Sequence, residues 1–254
     1  MRSPTKDRIP RLTLAGQMRR LGCKKVRAFS FGVDNLMPFV LHTQSRLPSL
    51  LLSTVTTAVV YGVFGLLRAG ELLRLRWLHV TFHERHKWPH IMIHLDWTKQ
   101  DPDQVGADVM ICWTTQGGFC VAEFLIQLRA QQVRDGVGGG DEDHVFTDPR
   151  TQCAMTSDAF LTSFRGALTQ MVASGEPTLD GVDLATITTK SLKRGGTASA
   201  AAKNHDLAAI RVHGWISRRA AESLKAQVIT ETYSDVDDAM ASPERRHRVT
   251  YLMA

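Results

Sequence analysis

A long apolar segment that runs into an arginine and a glutamate is the feature that most limits how this chain can fold. Residues 50–67 contain no charged side chain, Arg68 follows them, and Glu71 comes three residues later. A guanidinium at the buried end of an apolar helix is costly unless a carboxylate or an anionic ligand compensates its charge. Glu71 can hold one side of the Arg68 fork, and the other side is suited to bind a phosphate. The alternative is a purely structural ion pair on a helix.

The spacing of apolar residues predicts a mainly helical α+β domain with a small three-stranded antiparallel sheet. Strand patterns separated by polar turns occupy residues 78–82, 90–96 and 108–113. Helical patterns occupy residues 34–43, 48–75, 119–133, 156–172, 188–203, 206–212, 217–228 and 230–241. Pro48 suits the start of the second helix, and Thr156 or Ser157 suits the cap of the fourth. The 254 residues suit a basic arm at 1–27, one domain at 28–242 and a basic tail at 243–254.

Basic residues are concentrated in the arm. Residues 1–27 hold nine lysines and arginines, among them Lys24, Lys25 and Arg27, against one aspartate. The rest of the chain is close to neutral. A basic arm on a near-neutral body predicts a polyanionic partner, and nucleic acid is the first candidate. A solvated tail and an organelle transit segment are the alternatives.

The composition argues against several other classes of protein. The four cysteines, Cys23, Cys112, Cys120 and Cys153, show no C-x-x-C spacing and are interpreted as reduced, mostly buried thiols of an intracellular protein. No run of 18 purely apolar residues and no secretory signal is present, so we expect neither membrane insertion nor secretion. Histidines cluster between residues 79 and 94 without a cysteine ligand, and we expect no metal site among them.

Two segments resemble the conserved boxes of the tyrosine recombinases, the phage-integrase-like enzymes that cut and rejoin DNA. Residues 65–77, GLLRAGELLRLRW, resemble the first box, with Arg68 at its arginine position. Residues 190–215, KSLKRGGTASAAAKNHDLAAIRVHGW, resemble the second box, with its small-residue helix and its Gly-Trp pair. The resemblance implies the recombinase catalytic-domain fold, duplex DNA as the partner, and assembly of a homo-oligomer on DNA. It also implies chemistry without a metal or a small-molecule cofactor, in the nucleus, the nucleoid or the bacterial cytoplasm.

The resemblance assigns roles to individual positions. In this family two arginines, a hairpin lysine, two His/Trp-type groups and a tyrosine act on one DNA phosphate, and the tyrosine becomes linked to the 3′-phosphate. The implied catalytic residues are Arg68, Lys99, Lys190, Lys193, Trp215 and Tyr233. Further DNA contacts are expected from Arg194, His213, Lys24, Lys25 and Arg27.

The second box departs from the family at its reactive positions. Lys190 stands where histidine is expected, and Lys193 stands where the second arginine is expected. Lysine keeps the positive charge, but it supplies neither the bidentate fork of arginine nor an imidazole that titrates near neutral pH. Arg194 can replace Lys193 only if the helix register shifts, because one residue turns a side chain by about 100°.

The nucleophile is also displaced. The expected tyrosine position falls near Ser223 and Leu224, whereas Tyr233 lies one helix further on and Tyr251 lies near the end. Three hypotheses therefore stand: an active DNA recombinase or integrase of a mobile element, an inactive recombinase-fold DNA-binding protein or mobile-element remnant, and a helical protein-interaction domain.

Overall fold

In chain order the elements are three helices, a three-stranded sheet, a fourth helix, a two-stranded sheet and two further helices. The computed structural model describes residues 28–44, 49–96, 106–203 and 210. The helices are α1 (Val33–Gln44), α2 (Leu50–Phe64), α3 (Ala69–Leu72), α4 (Val121–Arg134), α5 (Ser157–Ala173) and α6 (Ser191–Ala202). The strands are β1 (Val80–His83), β2 (His90–Leu95), β3 (Ala107–Cys112), β4 (Thr147–Asp148) and β5 (Cys153–Ala154). Single 3-10 turns lie at Trp77–His79, Pro177–Leu179 and Leu184–Thr186.

Strands β1, β2 and β3 form an antiparallel meander, as the sequence predicts. His83 pairs with His90 at the first turn, and His94 pairs with Asp108 near the second. The prediction of a strand at 78–82 is wrong at its start, because Leu78 belongs to a 3-10 turn. The Leu78 backbone N–H donates to the carbonyl of Asp141 in a neighbouring loop, so it is not available to the sheet.

Helix α2 is the centre of the core, and α1, α4, α5 and α6 all pack on it. It is buried along nearly its whole length, which explains why its sequence lacks a polar stripe. Two of its buried hydroxyls donate to carbonyls: that of Thr54 to Leu50 within the helix, and that of Tyr61 to Val121 of α4. The Thr54 and Tyr61 hydroxyls are thus accommodated in a core helix.

The prediction of one helix over residues 48–75 is wrong, because α2 ends at Phe64. Leu66 has a φ of 51°, and the Leu67 N–H donates to the Gly62 carbonyl at 3.1 Å. A left-handed residue followed by this bond is a standard helix stop, but leucine is rare in that conformation. Leu66 is completely buried, so tertiary packing holds the strained residue in place.

Helix α6 approaches α2 closely through its small residues, as the sequence predicts. A Cβ on Gly196 would lie 2.2 Å from the Val63 carbonyl oxygen, and a Cβ on Gly195 would lie 1.9 Å from the Phe31 carbonyl oxygen. Real side chains do not tolerate such distances, so both positions require glycine. Gly196 therefore brings the start of α6 against the end of α2 and Leu66, and Gly195 packs against the segment just before α1.

The remaining predictions for the described residues have mixed outcomes. Helices α4 and α5 lie within two residues of their predicted bounds, and the Thr156 hydroxyl caps α5 by accepting from the Ala159 N–H at 3.1 Å. The β4–β5 pair was not predicted. Cys112 is buried, Cys120 is half-buried and Cys153 is exposed, so the three described cysteines are not mostly buried.

Several predicted elements cannot be compared with the structure. The helices expected at 206–212, 217–228 and 230–241 fall outside the described residues, except for Ile210. No helix within the described ranges is both long and apolar enough to cross a membrane.

Candidate nucleic-acid interface

Arg68 lies in the turn between α2 and α3, immediately before the first residue of α3. Its Nη1 is 2.6 Å from Glu71 Oε1, and its backbone N–H donates to Glu71 Oε2 at 2.8 Å. The Arg68 side chain is 26% exposed, and the Glu71 side chain is 4% exposed. The predicted ion pair is confirmed. Both carboxylate oxygens bind Arg68, and the rest of the guanidinium makes no hydrogen bond to a described residue.

The segment before α6 is fastened to the same turn. The Ala69 N–H donates to the Thr189 carbonyl at 3.3 Å, which joins the start of α3 to the chain just ahead of Lys190. Arg165 of α5 holds this segment from the other side, since its Nε donates to the Ile187 carbonyl at 3.1 Å. These bonds explain how two boxes more than 100 residues apart in sequence form one surface.

Lys193 lies in the first turn of α6, within electrostatic range of the Arg68–Glu71 pair. The residue is 7% exposed, and burial lowers the pKa of its amine to about 8 from 10.5. The Glu71 carboxylate raises this pKa, and the Arg68 guanidinium lowers it, so all three groups share one electrostatic environment. No hydrogen bond or ion pair joins the Lys193 amine to another described residue.

Arg194 and Lys190 point differently from Lys193. Arg194 is exposed, and its Nε donates to the Ser30 hydroxyl at 2.9 Å. The register shift that would replace Lys193 by Arg194 therefore does not occur. Lys190 is exposed at the N-cap of α6, next to the Thr189 contact with α3.

The charges of this centre favour an anion. Arg68 and Lys193 are two cations, and Glu71 supplies one carboxylate that Arg68 already occupies. A nearly buried ammonium beside a guanidinium is unfavourable unless a negative group approaches both. A phosphate can do so by accepting from the Arg68 edge that binds no residue in the described ranges and from the Lys193 amine. The sequence identifies Arg68, Glu71 and Lys193 as candidates, but it does not predict that Glu71 also acts on the Lys193 amine.

The other predicted site residues lie outside the described part of the chain. They are Lys99, Trp215, Tyr233, His213, Lys24, Lys25 and Arg27. The structure brings together Arg68 and Lys193 from the predicted catalytic set, with Lys190 at the edge. The roles of all these residues remain predictions.

The histidines of the sheet engage neighbouring polar groups. His79 Nε2 lies 3.0 Å from an Asp96 oxygen while its Nδ1 accepts from the Arg76 N–H, and His94 Nδ1 lies 2.8 Å from Asp108 Oδ1. Because His79 Nδ1 is an acceptor, its neutral ring carries the proton on Nε2, which therefore has no lone pair for a metal. Within the described residues, no group of His, Cys, Asp or Glu is arranged to hold a metal ion.

Comparison with known proteins identifies the fold. No protein-family model and no curated protein matches the chain. This chain is similar to XerH site-specific recombinase in a crystal structure of the post-cleavage complex with palindromic difH substrate. The TM-score is 0.60 and the sequence identity is 13%, and the match covers 80% of this chain and 51% of that chain. A pre-cleavage complex with difH substrate has a TM-score of 0.58 and 12% identity over 85% of this chain and 53% of that one.

The chain thus spans about half the length of these recombinase chains. It has the mainly helical tyrosine recombinase catalytic-domain fold with its three-stranded antiparallel sheet, as the sequence predicts. The similarity at this identity concerns the fold, and function has to be argued from the residues of this chain.

Proposed function

We propose that this chain binds the phosphate backbone of duplex DNA at Arg68 and Lys193, and that the bound phosphodiester is cut and rejoined by tyrosine recombinase chemistry. Lys190 and Arg194 extend the positive surface along α6. The basic arm at 1–27 adds phosphate contacts, and more than one copy assembles on the DNA. The observation that carries the proposal is the buried centre of Arg68, Glu71 and Lys193, in which one guanidinium edge and the lysine amine have no hydrogen-bond partner among the described residues.

The proposed reaction is a transesterification at phosphorus. The Tyr233 hydroxyl gives its proton to water and its oxygen attacks the phosphorus, so a bond forms between the tyrosine and the 3′-phosphate and the bond to the 5′-oxygen breaks. The leaving 5′-oxygen takes a proton from Lys99. Arg68 and Lys193 stabilise the negative charge that develops on the non-bridging oxygens. Rejoining reverses these steps with a 5′-hydroxyl as the nucleophile.

A second candidate is a DNA-binding protein that keeps the fold without cleavage. Lys190 is an exposed lysine where the family has histidine, and Lys193 lacks the second fork of an arginine. Both substitutions retain charge for phosphate binding while they weaken the support for the transition state. The third hypothesis, a protein-interaction domain with a structural Arg–Glu pair, gives no reason for a buried lysine amine beside that pair.

A covalent trapping assay separates the first two candidates. In nicked duplexes of random sequence, the short fragment that bears the new 5′-hydroxyl is released after cleavage. Rejoining is then prevented, so a phosphotyrosyl adduct accumulates and survives denaturation. We compare the wild type, Tyr233→Phe and Arg68→Ala, with the exposed Arg134→Ala as a charge-matched control. An adduct lost in the first two variants and kept in the control is the expected result. An adduct that persists in Tyr233→Phe moves the nucleophile elsewhere, and Tyr251→Phe is then tested.

Absence of an adduct is informative when binding is measured in parallel. Salt-sensitive DNA binding that depends on Arg68 but gives no adduct, even with pools enriched for tightly bound sequences, supports the non-cleaving candidate. Absence of both DNA binding and adduct would contradict the proposed function.

A further inference from the structure

Lys193 lies at a position where a charged amine is poorly supported. The residue is 7% exposed, and no hydrogen bond or ion pair joins its amine to another described residue. It is the third residue of α6, where the positive end of the helix dipole disfavours a cation. An ammonium in this place loses hydration without gaining a partner, so its charged form is stabilised only when an anion approaches.

The neighbouring charged groups do not compensate this cost. Glu71 acts favourably on the charged amine, but both of its carboxylate oxygens already bind Arg68. The Arg68 guanidinium opposes the charge. Burial has the largest influence, and it lowers the pKa of Lys193 from 10.5 to about 8. Without a ligand the amine is therefore about nine-tenths charged at pH 7 and about one-tenth charged at pH 9.

The helices that pack on α6 do not supply the missing anion. Helix α2 has no charged side chain, and burial raises the pKa of its Tyr61 well above the usual range, so that hydroxyl stays neutral. Helix α1 contributes Asp34 and His42, and α6 itself adds the cations Lys190 and Arg194. In the described part of the chain no acid forms an ion pair with the buried amine, so a bound anion is the group that can neutralise it.

We propose that the binding of duplex DNA to this site is coupled, in mildly alkaline solution, to the uptake of one proton by the Lys193 amine. The proton comes from solvent and adds to the amine nitrogen, and the ammonium then donates to a non-bridging oxygen of the bound phosphate. This inference rests on the proposed function, because the DNA phosphate is the anion that stabilises the ammonium. An arginine at this position would stay charged and would bind the phosphate without taking up a proton.

The dissociation constant of one labelled duplex is measured by fluorescence anisotropy at constant ionic strength from pH 7 to pH 9. The variants are Lys193→Arg and Lys193→Met, neither of which titrates in this range, with Arg68→Ala in parallel. Lys203→Arg, at the exposed C-terminal end of α6, is the matched control. Calorimetric titration in buffers of different ionisation enthalpy counts the protons taken up. Circular dichroism and thermal melting check that each variant is folded.

We expect the wild type to lose about tenfold in affinity from pH 7 to pH 9, as the fraction of charged Lys193 falls by that factor. Calorimetry at pH 9 should detect the uptake of about 0.9 proton per bound site. Lys193→Arg should lack this loss and this uptake, and Lys193→Met should bind weakly throughout and approach the wild type at pH 9. Lys203→Arg should follow the wild type. Groups that titrate in all of these proteins cancel in the comparison.

Two results would overturn the inference: a wild-type pH profile parallel to that of either Lys193 variant, or equal proton uptake by the wild type and that variant. If Lys193→Arg does not fold, the comparison with Lys193→Met decides. If Arg68→Ala weakens duplex binding while the profiles are parallel, this inference fails and the proposed function stands. If Arg68→Ala and Lys193→Met both bind duplex as tightly as the wild type at pH 7, the proposed function fails as well.

Discussion

Replacing Lys193 by methionine removes the titratable amine from the site and keeps an unbranched side chain of similar length. In the folded protein the pKa of Lys193 is lowered from 10.5 to about 8, chiefly by burial. The unfolded chain therefore holds the proton up to about pH 10.5, whereas the folded chain releases it near pH 8. Between these values the unfolded state binds more protons, so the wild type gains stability as the pH rises.

The size of the effect follows from the two pKa values. At 1.36 kcal/mol per unit, the charged buried amine costs on the order of 3 kcal/mol below pH 8. Lys193→Met should unfold with a higher free energy than the wild type at pH 7, and this advantage should shrink by about 2 to 3 kcal/mol at pH 10. Groups that titrate in both proteins cancel in the comparison.

Urea denaturation of both proteins at several pH values measures this difference. Lys190→Met is the control, because Lys190 is exposed and its replacement should leave the pH dependence unchanged. Bound phosphate should reduce the advantage of Lys193→Met at pH 7, since an anion beside the amine favours its charged form. A stability difference between Lys193→Met and the wild type that is the same from pH 7 to pH 10 would refute the reasoning.

Three further predictions concern the site and its supports. Glu71→Gln removes the negative charge that Arg68 faces, and it should lower the free energy of unfolding in urea by about 1 to 3 kcal/mol. An unchanged urea midpoint would mean that the ion pair is energetically neutral. Gly196→Ala should destabilise the protein by about 1 to 3 kcal/mol or more because the new Cβ would meet backbone atoms, whereas Gly166→Ala, in open space on α5, should stabilise it by about 0.5 to 1 kcal/mol. Similar effects of the two substitutions in urea denaturation would contradict the close packing of α6. Burial, together with the neighbouring histidines, lowers the pKa of His90. The unfolded chain therefore binds more protons, and the stability of the protein should fall as the pH drops below about 6.5. His90→Phe should reduce this loss of stability at acid pH, and an unchanged loss would assign it to other groups.

The sequence predicts those features that depend on local spacing. Arg68 and Glu71 are three residues apart, which is enough to predict their contact in any helical turn. Alternation of apolar residues in short runs predicts the sheet, and a hydroxyl residue before α5 predicts its cap.

Features that depend on packing between distant segments were missed. The helix stop at Leu66 is an example, because leucine disfavours a φ of 51° and nothing local requires it. Leu66 is completely buried, and Gly196 of α6 packs against it and against the Val63 carbonyl, so the neighbours of this turn come from a distant segment.

Which of Lys193 and Arg194 faces Arg68 could be predicted only in part from the sequence. Both residues are basic and adjacent, so composition does not decide which one faces Arg68. The resemblance between boxes favoured Lys193, and the structure places Lys193 in the buried centre while Arg194 bonds to Ser30. The roughly 100° step between neighbouring residues on a helix keeps the two apart.

The salt dependence of duplex binding tests the central claim most directly. Affinity for one duplex is measured from low to physiological salt for the wild type, for Arg68→Ala/Lys193→Met and for the control Arg134→Ala. If Arg68 and Lys193 each contact a phosphate, the double variant should bind more weakly and its log–log salt slope should be smaller by about 2, with the control unchanged. An affinity and a slope equal to those of the wild type would contradict the assignment of this centre as the phosphate site.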